Sequence, residues 1–245
     1  MTQAARPLVG PGLDGLAPVD RHALAALWTG AARSGTDDVA TLAALVLVLS
    51  ALGAPAPMVC RAAGCGAQQA ASAFAASSLA AAYSGREPGP TARPALLSAP
   101  PGGVRRPGPA LRRLALRALR DGWLLGGHVA QVTSWAGATC SDPAVREVLT
   151  VVARAEAAQA ALWRDVLDWA LAQRPRLLGR LRKVDLVQRS PLLDRPAQAD
   201  PVVLAAHGWP RTEEVARLWA AHRAVVVARL AQPSSASSSA AAHWA

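Results

Sequence analysis

Small and apolar residues recur along this chain at α-helical spacing, and proline or glycine interrupts each run. Trp28, Gly35, Leu42 and Leu49 fall seven residues apart, with Leu45 and Leu52 beside them. Such spacing lines up one face of a helix, and an apolar face needs another helix to cover it. Gly53-Ala54-Pro55 breaks that run sharply. A second helix is predicted from Pro57 to Tyr83, although Gly64 and Gly66 each cost ~1 kcal/mol relative to alanine. A third is predicted from Ala110 to Ala138, where Leu116, Leu119, Trp123, Gly126, Ala130 and Thr133 alternate three and four apart. A fourth follows to Gln173, with Ser141 or Asp142 as N-cap and Pro143 in the first turn. Its seams are Val145, Val152, Gln159 and Val166, then Leu149, Glu156 and Trp163.

Composition agrees with an all-α fold. Hydrophobic residues make up 52% of the 245, aromatics only 4%, and alanine, leucine, valine and arginine dominate. Strand-length runs of β-branched and aromatic residues are few. The helices come as two pairs with short turns, separated by a Pro/Gly-rich connection over 85–109. Short turns make antiparallel neighbours, and one long crossover between the second and third helices is the ferritin-like form of the four-helix bundle. Residues 1–19 are expected to be loose and 20–173 to form the bundle. Residues 174–232 are expected to be a Pro-broken extension with one helix over about 211–230, and the Ser/Ala-rich 233–245 to be disordered.

Several chemistries are disfavoured. Gly10-Pro11-Gly12-Leu13-Asp14-Gly15 matches G-x-G-x-x-G but follows no strand. The five histidines form no H-E-x-x-H, and no G-x-S-x-G or P-loop is present. Cys60, Cys65 and Cys140 lack a C-x-x-C pair, so buried free thiols are expected. No basic start precedes an apolar core, and the most apolar run, Leu42 to Leu52, is shorter than a membrane span. A cytoplasmic protein is the expectation. The net charge is +10, nearly all from arginine, and the densest cluster is Arg105, Arg106, Arg112, Arg113, Arg117 and Arg120. That patch suits a nucleic acid or an acidic surface, or it reflects the same compositional bias that makes alanine, glycine and proline abundant.

Leu52-Gly53-Ala54-Pro55, Phe74 to Gly85, Asp121-Gly122, Asp142-Pro143-Ala144-Val145-Arg146, Leu162-Trp163 and Trp169-Ala170-Leu171 carry a family resemblance. Over about residues 20–173 the chain resembles bacterial ferritin-like domain proteins, with a weaker match in the last helix. In that family the segments read E-H-A-S-V-A-A-F before L-G-A-P, D-E-x-x-H-A before F-A-x-A, D-G-C-x-G-E, and A-D-E-x-x-H-A before L-A-W. The resemblance implies a di-iron or di-manganese centre built from one Glu on each of two helices and a Glu-x-x-His pair on each of the others. Here the first Glu position falls on Gly35 and the second-helix pair on Gly66 and Gln69. The third-helix Glu falls on Gly126, and the fourth-helix pair on Glu156 and Gln159. Glu156 alone survives of the six. One carboxylate and two amides cannot balance two divalent cations.

The expected function is therefore a bundle that has lost its di-metal centre. It would hold no cofactor and serve as a structural or interaction protein with a partner chain or a second copy of itself. The alternative keeps iron or manganese at a relocated site around Glu156, drawing on Asp38, Asp121 or His128 to run oxidase or oxygenase chemistry. Lost ligands leave a cavity, so Trp28, Trp123, Trp135 and Trp163 are expected to refill it, with their N–H groups bonded to Gln69, Gln159 and Glu156. A lone buried Glu156 requires a raised pKa or an arginine such as Arg154 or Arg164.

Overall fold

The computed structural model describes residues 11–86, 107–186, 190, 192 and 199–232. Among these, every regular element is helical, and the fold is all-α. α1 (Pro18–Ala51) starts at a proline in its first turn. It ends at Gly53, whose φ of 71° lets the Ala54 N–H reach back to the Leu49 carbonyl at 3.0 Å. α2 (Ala56–Ser84) stops at left-handed Gly85. The expected crossover falls mostly outside the described residues, as do Arg105, Arg106 and 233–245.

The chain resumes as α3 (Pro107–Arg117), widens into a π-helix over Ala118–Gly126, and continues as α4 (Gly127–Thr139). Gly122 explains the widening. The Trp163 side chain presses onto it so closely that a Cβ there would overlap the ring. α5 (Pro143–Gln173) is capped by Asp142, whose carboxylate accepts from the Val145 N–H at 2.9 Å and from the Gly12 N–H at 2.7 Å. Of the stretch expected to be loose, residues 1–10 lie outside the described residues, and at its described start Pro11 is buried and the Gly12 N–H is held by Asp142.

The 174–232 extension holds more than the single helix expected. α6 (Leu177–Leu181) and α7 (Pro201–Ala206) precede α8 (Thr212–Ala231). Arg182 ties this region together by donating from Nε to the Leu230 carbonyl at 2.7 Å and from Nη2 to the Gln232 carbonyl at 2.7 Å. α1 packs along α2, α2 on α5, and α5 on the π-helix and α4, while α8 lies against α4. α1 is long and apolar enough to cross a membrane by length and composition, a property the eleven-residue run Leu42–Leu52 did not reveal. In this structure Leu24, Trp28, Leu42, Leu45 and Leu49 of α1 are buried against the other helices.

The apolar interior comes in two clusters. One gathers Leu42, Leu45, Leu49, Met58, Leu119, Leu162 and Trp163. The other gathers Leu24, Trp28, Leu79, Tyr83, Val145 and Leu149. Along α1, α2 and α5, the residues between the two clusters are the polar ones taken up next.

Candidate functional site

Four polar side chains from three helices meet between the apolar clusters. Asp38 comes from α1, Gln69 from α2, and Glu156 and Gln159 from α5. The α5 pair is three residues apart, so both point to one face. Gln69 is fully buried, and Glu156 and Gln159 are nearly so. The Gln69 amide nitrogen donates to Gln159 Oε1 at 2.7 Å. Gln69 also donates to Glu156, and the Gln159 amide to Asp38. The result is a chain of hydrogen bonds with a carboxylate at each end and two amides between. One atom is left over: Gln69 Oε1 is buried without a partner.

Burial sets the protonation of the two acids. It pushes the Glu156 carboxyl up to about 7, and the Asp38 charge pushes the same way while the Gln69 bond resists. Asp38 is also raised, first by burial, against the Gln159 bond and the Arg117 guanidinium. Arg117 stands over this layer, donating to Thr41 Oγ1 at 3.2 Å and lying 6.0 Å from the Trp163 ring. Arg154 and Arg164 are both exposed. Of the two expectations for Glu156, burial in the structure favours the raised pKa.

The glycine positions behave differently from one another. At Gly35 a Cβ would sit 3.0 Å from the Ala73 Cβ and 3.3 Å from its Cα, so α1 and α2 have closed over that position. At Gly66 a Cβ would meet only the Leu42 Cβ, at an ordinary 3.8 Å. Gly126 is half-buried, and the nearest atom to its Cβ position is the Asp121 carbonyl oxygen of the same helical run. Gln69, Glu156 and Gln159 thus meet at one level of the packing, Gly35 lies opposite Ala73 on one side of it and Gly66 opposite Leu42 on the other, while Gly126 lies on the wound-out π segment.

The relocated-site candidates separate. Asp38 joins Glu156. Asp121 is exposed and lies 3.9 Å from Arg117. His128 is fully buried elsewhere, with Nε2 2.8 Å from Ser190 Oγ and its ring edge-on to Trp219. Burial lowers His128 to about 4, and neighbouring His222 adds to the fall. Among the described residues, no three of His, Cys, Asp and Glu are grouped closely enough to hold a metal. The central donor set is two carboxylates and two amides, with no imidazole. That set does not fit a di-iron or di-manganese centre, which needs more carboxylate charge and nitrogen donors.

The tryptophans do not serve the amides as expected. Trp28, Trp123 and Trp163 are buried and Trp135 is half-buried. The Trp28 Nε1 has no partner and its ring packs edge-on to Trp209 at 5.6 Å, whereas the glutamines bond to each other and to the acids. Cys65 and Cys140 are buried as expected, but Cys60 is exposed.

Sequence reasoning missed His222. Its Nε2 lies 2.9 Å from the Trp123 carbonyl oxygen, and its Nδ1 lies 3.1 Å from the Gln131 amide nitrogen. Gly127 makes room, since a Cβ there would lie 2.7 Å from the imidazole. The arginine cluster also divides. Arg117 faces Thr41 and Asp121, Arg120 donates to the Asp185 carbonyl at 3.1 Å, and Arg112 and Arg113 line a separate groove. No family model, curated protein or solved structure matches this chain.

Proposed function

We propose that this chain is a ferritin-like bundle without a working di-metal centre, acting as a structural or interaction protein. The observation that carries the reading is the closure at Gly35. At the position where the resemblance places a ligand on the first helix, the Ala73 methyl and backbone of the facing helix come within 3.0–3.3 Å of where a Cβ would stand. The Gln69–Gln159 bond supports it, because it takes up the Gln159 amide oxygen that would otherwise face an ion. With Gly at three ligand positions and Gln at two, the remaining charge cannot offset two divalent cations.

Metal analysis of the full chain, purified and then incubated with iron or manganese, tests this. The expected result is trace metal and no shift in melting temperature, with wild type and Glu156→Ala alike. Stoichiometric iron or manganese that disappears in Glu156→Ala overturns it and favours the second reading. That second reading is a metal-binding protein with an oxygen-only site at Glu156. It draws on the approach of Asp38 and on the unpartnered Gln69 Oε1.

A further inference from the structure

At one end of the bundle, away from the polar layer, the first turns of α3 face the corner where α5 gives way to α6. Between them lies a groove of about 390 Å³ walled by Arg112, Arg113, Arg174 and Arg180, with Leu116 and Leu177 as its apolar part. Arg112 and Arg113 are neighbours on α3, Arg174 is the C-cap of α5, and Arg180 belongs to α6. Three elements thus bring four exposed arginines to the rim of one concavity.

Among the described residues, no Asp or Glu lines this groove. Among the described residues, none of the four arginines makes an ion pair or a hydrogen bond. Arginines elsewhere do: Arg61 holds Asp165 at 2.7 Å, Arg229 holds Asp168 at 3.1 Å, and Arg182 holds backbone carbonyls. Arginine stays charged at any ordinary pH, so four unpaired guanidinium groups around one space repel each other until an anion enters. Each presents a planar fork that matches two oxygens of a phosphate. The first turn of α3 borders the same space and adds the positive end of the helix, although of that turn's lining residues only Gly108 has an N–H, Pro109 having none. Gly108 in that turn lets the Arg174 guanidinium lie flat against the helix, because a Cβ there would overlap it.

We propose that this groove binds a compact ligand carrying clustered phosphate oxygens of the diphosphate type, with a partly apolar body resting on Leu116 and Leu177. The volume suits a small molecule, at the lower end of ligand pockets. Two sources share this chemistry: a soluble phosphorylated metabolite and a phosphate-bearing lipid headgroup.

The full chain is titrated calorimetrically at low salt with inorganic pyrophosphate and with adenosine diphosphate, and is sedimented with phosphatidic acid vesicles. Saturable one-to-one binding is expected, weakened about tenfold or more by Arg112→Gln with Arg174→Gln. Arg33→Gln with Arg217→Gln removes the same charge from other exposed positions and is expected to leave binding unchanged. Gly108→Ala keeps every charge, displaces Arg174, and is expected to weaken binding several-fold. Binding of the soluble probes with this pattern supports the groove and assigns a soluble source. Vesicle binding alone, with the same pattern, supports it and assigns a headgroup. No binding to any probe, or equal losses in the groove pair and the control pair, overturns it.

Discussion

Glu156→Gln removes a charge from the interior while keeping the shape and the hydrogen bond to Gln69. The folded Glu156 carboxyl titrates at about 7 against 4.5 for an ordinary glutamate, chiefly because it is buried. A gap of that size is about 3 kcal/mol of linkage. The sign is fixed by the direction of the shift. The folded chain holds this proton more tightly than the unfolded chain, so the contribution is full below the ordinary value. It is lost as pH rises through about 7. Above that, folding buries an anion beside Asp38. Protonation also sets an O–H donor beside the Gln69 amide, whose Oε1 has none. Glu156→Gln is therefore expected to match wild type near pH ~4 and to exceed it by about 3 kcal/mol near pH ~8. At this chain length that is a rise in melting temperature of roughly 6–12 °C. Urea unfolding at the two pH values reads the difference directly. An equal offset between variant and wild type at both would refute the reasoning, because the titrating group would then be another one.

His128 gives the opposite slope. Its pKa is lowered to about 4, so its contribution is present above the ordinary 6.5 and lost as pH falls through the folded value, up to about 3 kcal/mol; acid unfolding followed by circular dichroism should begin at lower pH in His128→Phe. Gly127→Ala drives a methyl into the His222 ring and is expected to cost about 1–3 kcal/mol, with hydrogen exchange in α8 rising first. Asp142→Ala removes the α5 cap and the anchor of the Gly12 N–H, and should cost about 1–2 kcal/mol in urea unfolding.

The long helices were legible because their apolar faces repeat over many turns, and the two short links carry their own stop signals at Gly53 and Asp142. The inward positions of Gly35, Glu156 and Gln159 followed from the same repeat, whereas Gln69 was singled out only through the family resemblance. Gly126 did not follow, and the reason is the π-helix. A wider turn rotates every later residue relative to an ideal helix, so the face read off a 3.6-residue period slides. Within the same run, Gly122 and Gly127 became the close-contact glycines, under Trp163 and His222. Both contacts depend on partners distant in sequence, which no local pattern encodes. α6 and α7 were missed because elements of five and six residues are too short to show a period. The same blindness hid Arg174 and Arg180, which reach the groove only through the turn at Pro175.

A polar layer in an apolar interior costs stability unless every member is bonded, so its persistence calls for a physical reason. Register is one. Leucine-rich clusters on either side tolerate sliding, because one apolar contact resembles the next. Sliding α2 by a turn would set Gln69 against leucines and strand both Gln159 and Glu156. The Gln69–Gln159 bond therefore ties α2 to α5 at one setting. One turn along α2, Ala73 meets Gly35 so closely that a Cβ there would be tight. The two contacts complement each other: the amide pair sets α2 against α5, and Ala73 on Gly35 sets α1 against α2. On the proposed reading, regaining a carboxylate at position 35 would not restore a metal site. It would have to part α1 from α2 first, and the amide pairing that now organises the interior opposes that separation.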